Sequence, residues 1–99
     1  MNIYLFPTEL EARVFRDVCP DARIVISGVG MAATAATIAS LSICADDVVV
    51  LAGIAGAYGD NVAVGSVVEV VSEVCVELPE RFRCVYKQAH PYTSLRGVM

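Results

Sequence analysis

The stretch RIVISGVGMAATAATIASLSICADDVVVLAGIAGA, residues 23–57, decides the fold class. An apolar run at Arg23–Ile26 leads through a glycine turn into small and apolar residues at helical spacing over Met31–Cys44, followed by a valine run at Val48–Ala52. Short apolar runs bounded by turn residues predict buried strands, and the segment between them predicts a closely packed helix. This order is typical of an α/β protein with a mainly parallel sheet and helices over its faces.

The residues before this stretch predict one more strand and one more helix. Asn2–Phe6 is a short apolar run, and Thr8 with Glu11 three residues later has the spacing of a capping box at a helix start. Pro20 ends that helix. Its apolar stripe consists of Leu10, Val14, Phe15 and Val18.

The residues after this stretch carry weaker patterns. Gly53–Asn61 predicts a loop, the valine-rich segment Val62–Val76 predicts one or two further strands, and the polar tail from Pro79 has no clear period. The predicted order is therefore βαβαββ.

The composition is unusually apolar for so short a chain. Of 99 residues, 57% are hydrophobic and only 18% charged, whereas a small domain buries a modest share of its surface. We therefore expect missing neighbours, either a partner subunit or the other half of a domain. Glycine, serine and threonine interrupt the apolar stretch 24–45, so we expect no membrane span, and no signal-peptide pattern is present, which favours a cytoplasmic location.

Charge and cysteine usage exclude further classes. The net charge is −4, and the 7 lysines and arginines form no run, so we expect no nucleic-acid partner. The four cysteines form no C-x-x-C pair and only His90 could assist them, which predicts reduced thiols and no metal site.

The segment Gly28–Ala33 matches the dinucleotide-binding pattern G-x-G-x-x-G/A after a strand and before a helix. The acidic residue expected at the end of the next strand is missing, because Asp46 and Asp47 precede that strand. A plain strand-to-helix turn is therefore favoured, and no cofactor is expected.

The small residues of Ala52–Gly59 follow a predicted buried strand, at the edge where open α/β sheets bind ligands. Such residues let a flat ring lie against the backbone, although a tight loop between strands explains them as well.

Carboxylates form the third candidate group. Glu9 or Glu11, after the first strand, could orient or deprotonate a water, but the capping box alone accounts for Glu11 and is favoured on these residues. Glu69, Glu73 and Glu77 share one face of a strand, which predicts a solvated face, with Glu73 in mid-run as the candidate for function.

Four segments in register resemble the nucleoside phosphorylase/nucleosidase superfamily. Pro7–Glu11 (PTELE) looks like its opening strand-to-helix segment, Ile26–Met31 (ISGVGM) like its S-G-[IV]-G turn, and Gly53–Ala57 (GIAGA) like its G-x-A-G-x loop. Val64–Val68 (VGSVV) looks like its V-G-D-V-V strand entry, with Ser66 in place of the usual aspartate. The residues of these segments most resemble the methylthioadenosine/S-adenosylhomocysteine nucleosidase and futalosine hydrolase branch.

The resemblance implies a three-layer α/β fold with a mixed, mainly parallel sheet, cleavage of a purine nucleoside's N-glycosidic bond, and assembly into a homo-oligomer. It implies that Glu11 positions the attacking water. The substrate-binding residues that it implies are Ser27, Gly28, Val29, Ile54, Ala55, Gly56 and Glu73.

Two departures from the family qualify these expectations. The segment 6–8 lacks the arginine with which phosphorylases bind phosphate, so hydrolysis is preferred to phosphorolysis. The later V-E-M-E and S-D segments, which hold ribose and protonate the base, are not among residues 1–99. We therefore expect a single partial domain, the N-terminal half, with negligible turnover alone. A non-catalytic nucleoside-binding oligomer and a structural half-domain without function are the alternatives.

Overall fold

The computed structural model describes residues 1–74, 79–82, 85–87 and 96–97, in two compact units, Met1–Ala55 and Gly56–Met99. The first unit contains a three-stranded sheet of β1 (Asn2–Phe6), β2 (Arg23–Ile26) and β3 (Val48–Leu51). The strand order is β2-β1-β3 and both pairings are parallel. Because β1 is central, its carboxyl end lies between those of its two neighbours.

Two helices alternate with these strands. Helix α1 (Glu9–Val18) connects β1 to β2, and helix α2 (Met31–Ser40) connects β2 to β3. Alternating strands and helices around a parallel sheet confirm the predicted α/β class for this unit.

The core of the first unit is built on the two faces of β1. Ile3 and Leu5 are fully buried on one face. On the other face, the Phe15 ring of α1 lies 4.7 Å from the Tyr4 ring and 5.4 Å from the Phe6 ring, between centroids. Alternation of side chains along a strand separates the two sets.

The apolar stripe of α1 is not what packs on the sheet, contrary to the sequence prediction. Leu10, Val14 and Val18 are 70%, 68% and 73% exposed, and only Phe15 of the predicted stripe contacts the sheet. The small side chain of Ala12, one helical turn from Phe15, is buried as well.

Helix α2 is shorter and looser than predicted, because it ends at Ser40 instead of Cys44 and buries no residue. The backbone N–H of Leu41 bonds to the Ile38 carbonyl and closes the helix. Asp47 then accepts the Cys44 backbone N–H at 2.9 Å, which shapes a turn before β3.

Strand β3 ends at Leu51, one residue before the predicted end, and is not fully buried. Its terminal residues Val48 and Leu51 are exposed. These residues are exposed because β3 is an edge strand of the described sheet.

The second unit contains short elements. Its strands are β4 (Glu69–Val70), β5 (Ser72–Val74), β6 (Val85–Lys87) and β7 (Arg96–Gly97), with a 3-10 helix at Glu80–Phe82. β4 pairs with β7 in parallel, and β5 pairs with β6 antiparallel. The one or two strands predicted in Val62–Val76 are thus β4 and β5. The last two residues of that predicted segment, Cys75 and Val76, lie outside the described residues, as does His90.

Within the described ranges, no helix has both the length and the apolar character needed to cross a bilayer.

Candidate functional site

The two crossover connections run in opposite directions across the sheet, with β1 between them. From β1 the chain moves to β2 on one side, and from β2 it returns past β1 to β3 on the other. Open α/β sheets bind ligands in the crevice at such a switch point, between the strands where the order reverses. The loops that follow β1 and β3 therefore form the candidate site.

The Glu11 carboxylate joins these two loops. Its Oε1 accepts a hydrogen bond from the backbone N–H of Ile54, after β3, at 3.0 Å. Its Oε2 accepts the hydroxyl proton of Thr8, after β1, at 2.7 Å. Thr8 also caps α1, because its Oγ1 accepts the Glu11 backbone N–H at 3.3 Å. The predicted helix cap is confirmed, and the same glutamate reaches beyond its own helix.

These bonds favour the ionised form of Glu11. The Thr8 hydroxyl is the largest cause of a lowered Glu11 pKa and the Ile54 N–H the second, while partial desolvation opposes them. A hydrogen bond to a carboxylate stabilises its charged form, which lowers the pKa. At neutral pH the group is an anionic acceptor and a weak base, suited to orienting a water or hydroxyl and to stabilising a nearby positive charge.

Gly53 allows the two loops to approach. A Cβ at this position would lie 3.3 Å from Oε1 of Glu11 and 3.3 Å from Cδ of Pro7. Any other residue would therefore press on both the carboxylate and the proline ring.

Glu9, the other carboxylate after β1, has different surroundings. Its Oε1 accepts from Arg16 at 2.8 Å in an ion pair between exposed side chains. This pairing leaves Glu11 as the carboxylate held at the switch point.

In the turn after β2, the Val29 side chain is exposed and Ser27 is buried. Ser27 is 3% exposed, and its hydroxyl donates to the Gly28 carbonyl at 3.0 Å. Its own carbonyl accepts the Thr37 hydroxyl of α2 at 3.0 Å, whereas the Val29 side chain is largely exposed. A binding role for Ser27 remains a prediction, and in this arrangement its side chain faces the protein.

The glycine pattern of this turn has a structural explanation. Gly28 and Gly30 adopt positive φ angles of 81° and 98°, which favour glycine. A Cβ on Gly28 would also lie 3.1 Å from the Cβ of Ala33. Turn geometry and helix packing therefore account for the motif without a dinucleotide.

The remaining predicted residues divide between the units. Ile54 and Ala55 are exposed in the loop after β3. Gly56 and Glu73 belong to the second unit, where Gly56 is exposed and Glu73 is an exposed residue of β5, opposite Tyr86 in register. The structure thus brings Glu11 and Ile54 into contact and places the 27–29 turn at the same edge of the parallel sheet.

Thr8 and Gly53 have site roles that the sequence analysis missed. The spacing of Thr8 and Glu11 already predicted proximity, but it did not indicate that the hydroxyl would donate to the carboxylate. Gly53 belonged to the predicted G-x-A-G-x segment, but its close approach to Glu11 and Pro7 was not predicted, because it depends on a contact with residues more than forty positions away. Among the described residues, no group of three or more His, Cys, Asp or Glu side chains could hold a metal ion.

Comparisons with protein-family models, curated proteins and solved structures gave no match.

Proposed function

We propose that this chain is the N-terminal part of a purine-nucleoside N-glycosidic bond-cleaving enzyme of the nucleoside phosphorylase/nucleosidase superfamily, acting by hydrolysis. The single observation that carries the proposal is the Glu11 carboxylate, tethered to the Ile54 N–H at the switch point of the sheet. The sequence resemblance places the water-positioning glutamate at this same residue.

The chemistry of the carboxylate fits the reaction. The bond between the anomeric carbon and the base nitrogen breaks with its electron pair on the base, and the ribose gains positive charge. A water oxygen then bonds to the anomeric carbon. An ionised Glu11 would orient that water, offset the ribose charge, and accept the water's proton as the new bond forms.

Exposed apolar side chains at the same sheet edge support a flat, uncharged ligand. Val29 follows β2, Leu51 ends β3, and Ile54 follows it, and all three are largely exposed. Apolar walls with a few polar groups are typical of small-molecule sites.

The positions of the arginines favour water over phosphate as the attacking group. In the described part of the first unit, Arg13 and Arg16 lie beyond the first turn of α1, and Arg23 lies at the amino end of β2, opposite the candidate edge. A phosphorylase needs cations beside the anomeric carbon to hold phosphate.

The proposal includes the remaining half of the domain. Release of a neutral purine needs a proton donor, and an ionised Glu11 is not one. The resemblance places that donor, and the ribose-holding glutamate, in later segments. We therefore expect residues 1–99 alone to bind a purine nucleoside and to release base negligibly.

The same proposal includes a three-layer fold, assembly into a homo-oligomer and a cytoplasmic location. Right-handed crossovers from β1 to β2 and back to β3 would place α1 and α2 on opposite faces, which supports three layers. The exposed apolar residues of α1 support a homo-oligomer, and the free thiols Cys19 and Cys44 support a cytoplasmic location.

The test compares Glu11→Gln with Glu9→Gln in the complete protein encoded by the gene. Base release from purine nucleosides is followed by chromatography, and binding by calorimetry. We expect Glu11→Gln to lower release by about 10²–10⁴-fold and Glu9→Gln to leave it unchanged. Unchanged release from the Glu11 variant would refute its role.

A non-catalytic nucleoside-binding module is the second candidate. The observation in its favour is that the described edge combines exposed apolar side chains with the ionised Glu11 carboxylate. Tight binding by the complete protein, without any base release, would decide for the module.

A further inference from the structure

Thr8 lies between β1 and α1, and both its backbone and its hydroxyl form hydrogen bonds with the first turn of the helix. Its backbone is extended, with φ −135° and ψ 156°, and its carbonyl accepts the Ala12 N–H at 3.2 Å. Its Oγ1 accepts the Glu11 backbone N–H at 3.3 Å and donates to Oε2 of Glu11 at 2.7 Å. A threonine hydroxyl has one proton, and this proton is committed to the carboxylate.

We propose that Thr8 is a positioning residue for Glu11, whose hydroxyl proton fixes the orientation of the carboxylate against the Ile54 N–H and towards the ligand. This inference rests on the proposed function of Glu11 and assigns the group that holds it in place.

Helix capping alone does not require this donor. A capping side chain must accept a backbone N–H, and asparagine, aspartate and serine do so as well as threonine. Glycine has no acceptor side chain, yet its cost in helix stability at this position is small. A donor to the carboxylate requires a hydroxyl or an amide N–H. The 2.7 Å bond therefore serves Glu11 in a way that the start of the helix does not need.

The two tethers determine which lone pairs of Glu11 remain available. Each carboxylate oxygen accepts about two hydrogen bonds. Thr8 takes one position on Oε2 and Ile54 takes one on Oε1. The Thr8 backbone N–H also stabilises the charged carboxylate. About one of its four acceptor positions is therefore left for a water, in a direction that these donors set.

The ionisation of Glu11 agrees with this geometry. The Thr8 hydroxyl is the largest cause of its lowered pKa. The charged side chains on the elements around it are Glu9, Arg13, Arg16 and Asp17 on α1 and Arg23 on β2, and β1 and β3 carry none. None of these charges is among the causes of the shift.

The test uses Thr8→Gly and Thr8→Ser, because both keep a neutral residue that is tolerated at a helix start. The carboxyl carbon of Glu11 is titrated by NMR in the 99-residue chain and assigned by its absence in Glu11→Gln. We expect the Glu11 pKa to rise towards its ordinary value in Thr8→Gly and to stay lowered in Thr8→Ser. Circular dichroism checks that α1 is retained in both variants.

Activity of the complete protein gives the second readout. We expect Thr8→Gly to lower kcat for base release by about 10- to 100-fold, as misplacement of a reacting group does, with Thr8→Ser close to wild type. An unchanged Glu11 titration in Thr8→Gly, or equal losses in the two variants, would overturn the inference. If the wild-type protein releases no base while the titrations behave as expected, positioning by Thr8 is supported and the hydrolase proposal fails.

Discussion

Oε1 of Glu11 accepts a hydrogen bond from the backbone N–H of Ile54 at 3.0 Å, across 43 positions of the sequence. The bond connects the first turn of α1 to the loop after β3. The proposed catalytic carboxylate therefore also restrains the loop after β3. Changes to either residue should affect both stability and binding, and the two effects can be measured separately.

The contribution of Glu11 to stability should depend on pH. Its pKa is lowered on folding from an ordinary value of 4.5, so its contribution is fully present above that value and is lost as the pH falls through the folded-state pKa. Urea unfolding of wild type and Glu11→Gln from pH 7 to pH 3 measures the difference. We expect this difference to shrink on acidification. The lowered pKa of Asp47 acts in the same direction in both proteins and cancels. A difference that stays constant or grows would contradict the prediction.

Gly53→Ala should disturb the site by crowding it. The added Cβ would meet Oε1 of Glu11 and Cδ of Pro7 at 3.3 Å each. We expect a loss of about 0.5–1 kcal/mol in the free energy of unfolding and a weakened Glu11–Ile54 hydrogen bond, seen as faster exchange of the Ile54 amide. Gly56→Ala is the matched control, because its Cβ would meet nothing within 4 Å. Equal stability of the two variants would show that the loops adjust freely.

Asp47→Asn should weaken the start of β3. Oδ1 of Asp47 lies 3.1 Å from the Met1 amino group, and Oδ2 accepts the Cys44 N–H. We expect a lower urea midpoint, with a difference from wild type that narrows as salt is added, because salt screens the ion pair. Asp46→Asn makes the same chemical change at the neighbouring exposed position and should leave the midpoint unchanged. A salt-independent loss would assign the effect to the Cys44 bond alone.

Phe15→Ala should destabilise the first unit far more than Val14→Ala. The Phe15 ring contacts the Tyr4 and Phe6 rings, whereas the Val14 side chain is mostly in solvent. We expect losses of about 2–4 kcal/mol for Phe15→Ala, and a change within about 0.5 kcal/mol for Val14→Ala. Chemical denaturation followed by tyrosine fluorescence measures both. A large loss at Val14 would mean that a partner covers the exposed side of α1.

The sequence predicts the local structure of the first unit well and its packing less well. The start of α1 follows from Thr8 and Glu11, because capping depends on neighbours three residues apart. The exposure of Leu10 and the absence of buried residues in α2 do not follow from it, because periodicity does not reveal how many layers surround a helix. In the site, the position after β1 indicated Glu9 or Glu11, and the family resemblance selected Glu11. Its bond to Ile54 depends on the pairing of β1 with β3, which local patterns do not reveal.

The strand order has a consequence for how the chain folds during synthesis. β1 is made before both of its neighbours, yet it occupies the centre of the sheet, and its partner at position 5, Leu51, is added 46 residues later. Until then Ile3 and Leu5 have no complete sheet around them. Contacts between residues so distant in sequence slow folding, and exposed apolar strands invite aggregation. The first strand therefore stays incompletely covered during synthesis until β3 pairs with it.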